Sequence, residues 1–365
     1  MQNFLTEYIL GKSQKMITYA EYISLALYHP EYGYYMRDEP KIGREGDFIT
    51  TSNISDMYGR MHAKWFASIQ KELSLPPVVC EIGAGTGRFA KAFIDEWKEV
   101  SKEELHYYII EQSPYHQNKQ REMITFNESI KQVKNLDQIN PFSGLIFSNE
   151  LFDAFPVHVV ERRNHQLMEV MVTFNGEELI ETFVPLENEK IKTFLINSKM
   201  DIKNNQRIEI PLAMDDMLSQ IAKILHKGLV LTIDYGYSNE EWMEPSHRKG
   251  SLRGYYKHQL IDNVLVHPGE MDITSHVHFD SLIDIGQNWG LDFIKQLRQD
   301  EYLISLGILE ELQNHFDPNP FSETSRRNRA IRSLITPGGI SSFFQVILQE
   351  KGLDHEKAKQ VIRMK

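Results

Sequence analysis

Gly83, Gly85 and Gly87 stand one residue apart in the run Glu81-Ile82-Gly83-Ala84-Gly85-Thr86-Gly87, between an apolar segment and the helical stretch RFAKAFIDEWKEV. A strand, a glycine turn and a helix in that order make a nucleotide-binding loop. The glycines let the backbone approach a ligand closely, and the helix start offers free N–H groups. A dinucleotide fingerprint requires its third glycine at position 88, and that position is Arg88. Two acids frame the loop instead: Glu81 just before it, and Glu111 at the end of the next apolar run, HYYIIE. A carboxylate at Glu111 can accept from both ribose hydroxyls. One at Glu81 favours a cofactor that carries an ammonium and a sulfonium and has no pyrophosphate. The loop points to S-adenosylmethionine, with Glu81, Gly83, Ala84, Gly85, Gly87 and Glu111 as its contacts. Taken singly, the same residues also describe a tight turn and a solvated strand end.

A second group follows the apolar run GLIF. Asn149, Glu150 and Asp153 fall within five residues in SNELFDAFPV, at the carboxyl end of an expected strand, which is where open α/β sheets bind ligands. Methyl transfer is an in-line displacement, so orienting the acceptor does most of the work. A nitrogen acceptor also needs its proton taken or steered, and a guanidinium can be held bidentately by a carboxylate. These three are the candidate catalytic residues. The plainer reading, strongest for Asp153, is a helix N-cap cluster.

The elements that must position these groups are short apolar strands alternating with helices, the pattern of a parallel sheet with crossover helices. Strands are expected at VVCEIG, HYYIIEQS, GLIFSNEL and LVLTIDYG. Helices are expected at RFAKAFIDEWKEV, at PYHQNKQREMI with proline at its start, and at LAMDDMLSQIAKIL, with Gly228 as the helix stop. After residue 278 come a helix near 279–289, a strand near 292–298, a helix near 299–315 and a strand near 342–350. Residues 1–75 read as a helical, aromatic-rich lobe, 76–350 as the core and 351–365 as a tail. Two insertions interrupt the core. Residues 157–210 alternate like strands around Asn175-Gly176 and suggest a hairpin arm. Residues 236–278, rich in Gly, His, Pro and Tyr, read as a long ordered loop.

The chain has 365 residues, enough for about two domains. Its net charge of -11 argues against a dominant electrostatic grip on nucleic acid. A single cysteine, Cys80, excludes an internal disulfide and fits a reducing compartment. It lies in an apolar run and reads as a buried small residue. No stretch approaches the ~20 apolar residues of a membrane span, and the first residues lack a secretory or transit pattern. The expected setting is cytoplasmic. His267, His276 and His278 lie near Glu270 and Asp272 without a zinc-type spacing, so no metal is expected. The strand edges of the arm would serve a homodimer or pack on their own sheet.

HPEYGYY, GDFITTSNISDMYG, EIGAGTGRFA, the IIEQS strand, SNELFDAFPV and GSLRGYYKHQLIDNVLVHPGEMDITSHV occur in that order. Together they resemble the MidA family over roughly residues 15 to 350. The resemblance implies a class I, Rossmann-like methyltransferase with a mostly parallel seven-stranded sheet. For the mitochondrial members, which are complex I assembly factors, it implies symmetric dimethylation of a protein arginine. It adds Asp47, in Gly46-Asp47-Phe48, and Arg253, in the pattern Ser251-Leu252-Arg253, as acceptor or lid candidates; His276, from the histidine group above, is a structural or substrate-contacting candidate. Where the family continues with Pro-Glu, this chain has Ser52-Asn53, which bears on the acceptor. The expected function is methylation of a protein, at arginine. Beside it stand a small-molecule or lipid methyltransferase and a cofactor-binding assembly factor with little activity.

Overall fold

The computed structural model describes residues 1–39, 41, 55–313 and 317–362. The chain forms two compact units that interleave along the sequence. One comprises Met1–Phe48, Phe152–Met217 and Gly236–Ile285; the other comprises Ile49–Leu151, Leu218–Tyr235 and Gly286–Lys365. Their boundaries do not follow the expected order of lobe, core and tail: within 1–75, the helix Met57–Ile69 belongs to the second unit and the two helices before it to the first.

The second unit is built on seven strands: β1 (Val78–Ile82), β2 (His106–Ile110), β3 (Ile130–Val133), β4 (Phe142–Asn149), β5 (Leu225–Tyr237), β6 (Asp292–Arg298) and β7 (Phe344–Lys351). Their order in the sheet is β6-β7-β5-β4-β1-β2-β3. The pairs from β5 through to β3 are parallel, and β7 runs antiparallel to both of its neighbours. Strands buried on both faces need continuous apolar runs, which VVC and GLIF supply. Cys80 lies in that interior, fully buried. The chain passes outward from β1 to β3 on one side and returns through β4 on the other. The carboxyl ends of β1 and β4 therefore flank the point where strand order reverses.

Helices α1 (Met57–Ile69), α2 (Arg88–Val100) and α3 (Pro114–Met123) cover this sheet. Phe66, Phe89, Phe93, Trp97, Tyr107 and Phe147 share one core cluster. Ser113 caps α3 through the His116 N–H, and Pro114, at the expected start, occupies its first turn.

Gly228 has a different part from the expected one. The helix Leu212–Ile224 ends before it, and Gly228 lies inside β5 opposite Gly144 of β4. A Cβ on Gly228 would sit 1.9 Å from the Gly144 carbonyl oxygen, so the glycine permits close strand approach instead of stopping a helix. The expected helix near 299–315 is also shorter. It covers Gln299–Ser305, then Gly307 turns left-handed at φ 85° before a single 3-10 turn, Ile308–Glu311.

The first unit holds a five-stranded antiparallel sheet in the region of the expected arm. His158–Arg163 and Gln166–Phe174 form a hairpin across Asn164-His165, both left-handed. Leu179–Pro185, Arg207–Ile210 and Met16–Thr18 complete the sheet. The helix Glu189–Ser198, capped by Asn188, interrupts the arm's strands. The N-terminal helices Gln2–Gly11 and Tyr19–Tyr28 share a core with this sheet through Leu5, Ile9, Tyr22, Ile23, Val159 and Val172. Residues 236–278 are more regular than a long loop: Arg253–Tyr256 pairs with Gln259–Ile261 and Asp272–Thr274 in a three-stranded sheet. Among the described residues, no helix is long and apolar enough to cross a membrane.

Candidate active site

The glycine loop leaves the carboxyl end of β1. Gly83, Gly85 and Gly87 all have left-handed φ values, of 74°, 54° and 84°, which side-chain-bearing residues rarely adopt. Gly87 is the N-cap of α2, and a Cβ there would meet the Gln120 side chain at 2.7 Å. The Gln120 amide donates to the Gly85 carbonyl at 2.7 Å and accepts from Gln132 at 2.7 Å, so α3 and β3 hold the loop from behind. The Gly83 N–H donates to the Ile110 carbonyl at 3.0 Å.

Glu111 follows β2 directly. Its Oε2 accepts from the Gly85 N–H and its Oε1 from the Ser113 N–H, each at 2.8 Å. A carboxylate has about four acceptor positions, so these two bonds fix its orientation and leave capacity for a diol. Glu81 is 4% exposed. Its Oε2 accepts from the Tyr107 hydroxyl at 2.8 Å. Burial pushes its carboxyl up to about 8; Glu111 adds to the rise and the Tyr107 hydroxyl opposes it. A nearby cation would reverse that rise. The donor set therefore suits S-adenosylmethionine: an acceptor for ribose hydroxyls, an acid responsive to positive charge, and glycines that keep side chains off the loop.

Ile82 pairs with Ser148, so Gly83 and Asn149 leave the sheet side by side. Asn149 donates through Nδ2 to Glu150 Oε1 at 3.0 Å. Glu150 sits in a left-handed conformation, φ 53°, uncommon for a residue with a side chain, and its N–H donates to the Ile233 carbonyl at 2.9 Å. The next residue, Leu151, donates its N–H to Asp234 Oδ2 at 3.2 Å. Strand ends β4 and β5 thus lock the turn that presents Glu150. The fully buried Tyr58 hydroxyl lies 2.9 Å from Asn149 Oδ1 and 3.0 Å from Gln299 Oε1.

Asp153, Arg253 and His276 belong to the first unit. Asp153 is buried; its carbonyl accepts from the Ser275 N–H at 2.9 Å, and its charge helps to raise the Tyr35 phenol, whose main cause is burial. The ring of His276 stacks on Tyr237 at 4.4 Å, and the His276 backbone N–H donates to Ser251 Oγ at 2.9 Å. Burial, with the Arg253 charge next, lowers its imidazole to about 3, so it is neutral at physiological pH. Buried Glu209 organises the segment ahead of Arg253, accepting from the Ser251 N–H at 2.9 Å, the Ser251 hydroxyl at 3.0 Å and the Leu252 N–H at 3.4 Å. Asp47 and Ser52-Asn53 lie outside the described residues. Among those described, no three His, Cys, Asp or Glu side chains group as a metal site.

Tyr58, Tyr107, Gln120, Glu209 and Gln299 escape a reading of the sequence. Each is a single polar residue in a helix or strand whose partner is distant in the chain. Only Glu209, a lone acid between Ile208 and Ile210, carries a local signal.

A parallel sheet with one antiparallel strand, a glycine loop after β1 and an acid after β2 define a class I S-adenosylmethionine-dependent methyltransferase. The sequence profile of a family of S-adenosyl-L-methionine-dependent methyltransferases matches residues 61–296, and the chain belongs to that family. It is 23% identical over 358 residues to the mitochondrial protein arginine methyltransferase NDUFAF7 of Danio rerio, covering 90% of this chain and 82% of that one. The Drosophila melanogaster homolog of NDUFAF7 is 24% identical over 303 residues, 75% of this chain and 67% of that one. A crystal structure of a COG1565 superfamily member from Burkholderia thailandensis, bound to S-adenosyl-homocysteine, superposes with a TM-score of 0.86 at 24% identity, covering 96% of this chain and 92% of that one. The chain is an S-adenosylmethionine-dependent methyltransferase.

Proposed function

We propose that this enzyme methylates a protein, at the guanidinium of an arginine. The observation that carries the reading is the Asn149–Glu150 pair, a carboxylate oriented by an amide 3.0 Å away at the strand end beside the glycine loop. A guanidinium is planar and always charged, and a carboxylate is its natural partner. S-adenosylmethionine, held at that loop, would supply the methyl group, with the S–C bond breaking as the N–C bond forms and the electron pair left on sulfur. The alkylated nitrogen then carries one proton too many, and Glu150 is our candidate to take it. Glu81, Gly83, Ala84, Gly85, Gly87 and Glu111 hold the cofactor in this reading, while Asp153, Arg253, His276 and Asp47 are candidates for acceptor or lid contacts. The curated relatives named above, both described as protein arginine methyltransferases or their homolog, support the same acceptor.

The test is transfer of tritiated methyl groups from S-adenosylmethionine into an extract of cells lacking the gene, followed by size separation and acid hydrolysis. Label in methylarginine of the protein fraction is expected. Label confined to small molecules or lipids would sink the protein reading and favour a small acceptor.

A further inference from the structure

We propose that Tyr58 is a positioning residue for methyl transfer: its phenol fixes the face of the Asn149 amide, and Asn149 in turn aims the Glu150 carboxylate. The inference rests on the reading of Glu150 as the acceptor-side acid. Five side chains form one chain of contacts. Gln299 Nε2 donates to Ser341 Oγ at 2.8 Å; the Tyr58 hydroxyl lies 3.0 Å from Gln299 Oε1 and 2.9 Å from Asn149 Oδ1; Asn149 Nδ2 donates to Glu150 Oε1 at 3.0 Å. Tyr58, Gln299 and Ser341 are each 0% exposed, so water does not take over the Tyr58–Gln299 and Gln299–Ser341 contacts.

The polarity of this chain is set at Tyr58. A phenol has one proton and donates it to one amide oxygen at a time; donated to Asn149 Oδ1 at 2.9 Å, it holds the Asn149 oxygen toward Tyr58 and the Asn149 NH2 group away from it. For Asn149 that direction is toward Glu150. With the amide turned over, Asn149 would set its oxygen against a carboxylate oxygen and lose the bond. Tyr58 itself has little room to move. The His62 ring lies 4.7 Å and the Phe89 ring 5.8 Å away, both edge-on, and His62 Nδ1 bonds the Tyr58 carbonyl at 2.7 Å. Burial, reinforced by Tyr302 and Glu150, raises the phenol well above its ordinary range, so the proton stays in place at every working pH. The backbone of Glu150 is held separately by Ile233. The amide is thus the part of the turn that depends on Tyr58.

Tyr58→Phe keeps the ring and its packing and removes only the hydroxyl. A buried hydrogen bond of this kind changes an equilibrium by roughly tenfold. We expect kcat for tritiated methyl transfer into extract protein to fall about tenfold, with the KM for S-adenosylmethionine and the Kd for S-adenosylhomocysteine unchanged. In the double variant with Asn149→Ala the Tyr58 change should cost nothing further. A crystal structure of Tyr58→Phe should show the Asn149–Glu150 contact broken. Unchanged kcat, or a fall in cofactor affinity equal to the fall in kcat, would overturn the proposal. Should the wild type transfer no label to protein, the functional reading fails by itself, and the crystal structure decides the positioning: an Asn149 amide still bonded to Glu150 overturns it.

Discussion

Glu81→Gln is the most informative single substitution. Gln is close to the protonated form of the native side chain in shape and charge, and Gln can still accept from Tyr107, so the fold should survive. The native carboxyl is raised to about 8 by burial. At pH 7 only about a tenth of the free enzyme carries it ionised, and at pH 6 about a hundredth. If a cationic cofactor binds beside the ionised form, each unit of pH below 8 costs about 1.4 kcal/mol, or tenfold in affinity. S-adenosylhomocysteine, which keeps the ammonium, should therefore bind about tenfold tighter at pH 7 than at pH 6. Binding at pH 7 should release close to one proton. Titration calorimetry in two buffers of different ionisation enthalpy reads both quantities. In Glu81→Gln the released proton and the part of the pH slope due to Glu81 should disappear. Equal proton release by variant and wild type would refute the reasoning, because the cofactor would then be indifferent to the charge on Glu81.

The same carboxyl carries a stability prediction. Its folded value lies above its ordinary 4.5, so the native state binds more protons between about 4.5 and 8 and loses stability as pH rises through that window. Chemical denaturation should show the falling slope in wild type and a flatter one in Glu81→Gln; parallel slopes would contradict it. Gly228→Ala puts a Cβ 1.9 Å from the Gly144 oxygen between β4 and β5, and should destabilise by about 3 kcal/mol or more. A thermal midpoint equal to wild type would show that the strands can part without cost. Glu209→Ala leaves the Ser251 and Leu252 N–H groups without their acceptor and should cost about 2 kcal/mol. It should also open the chain near Arg253 to limited proteolysis, and unchanged cleavage there would rule out Glu209 as the anchor of that segment.

The sheet was legible because VVC, GLIF and LVLTI are short apolar runs alternating with helical stretches, and because Pro114 marks a helix start. The cofactor loop was legible for a local reason: three glycines and two acids lie within one strand-turn-helix unit and its neighbour. Gly228 misled because a glycine after a helix is usually a cap, whereas here its value lies in a neighbouring strand 84 positions earlier, at Gly144. The sheet in 236–278 was hidden because its hairpin turns at Lys257-His258, both left-handed without a glycine or asparagine. The helix Glu189–Ser198 has a weak signal because it sits between strand-like runs. The Tyr58 and Gln299 contacts with the site have no local signature, since each partner is set by the sheet order and not by spacing along the chain.

Quantitative mass spectrometry of methylated arginines, in cells with and without this gene, tests the proposed function most directly. One or a few protein arginines should lose methylation on deletion, and regain it with wild type but not with a Glu150→Gln copy. An unchanged set of methylated arginines would contradict arginine methylation by this enzyme.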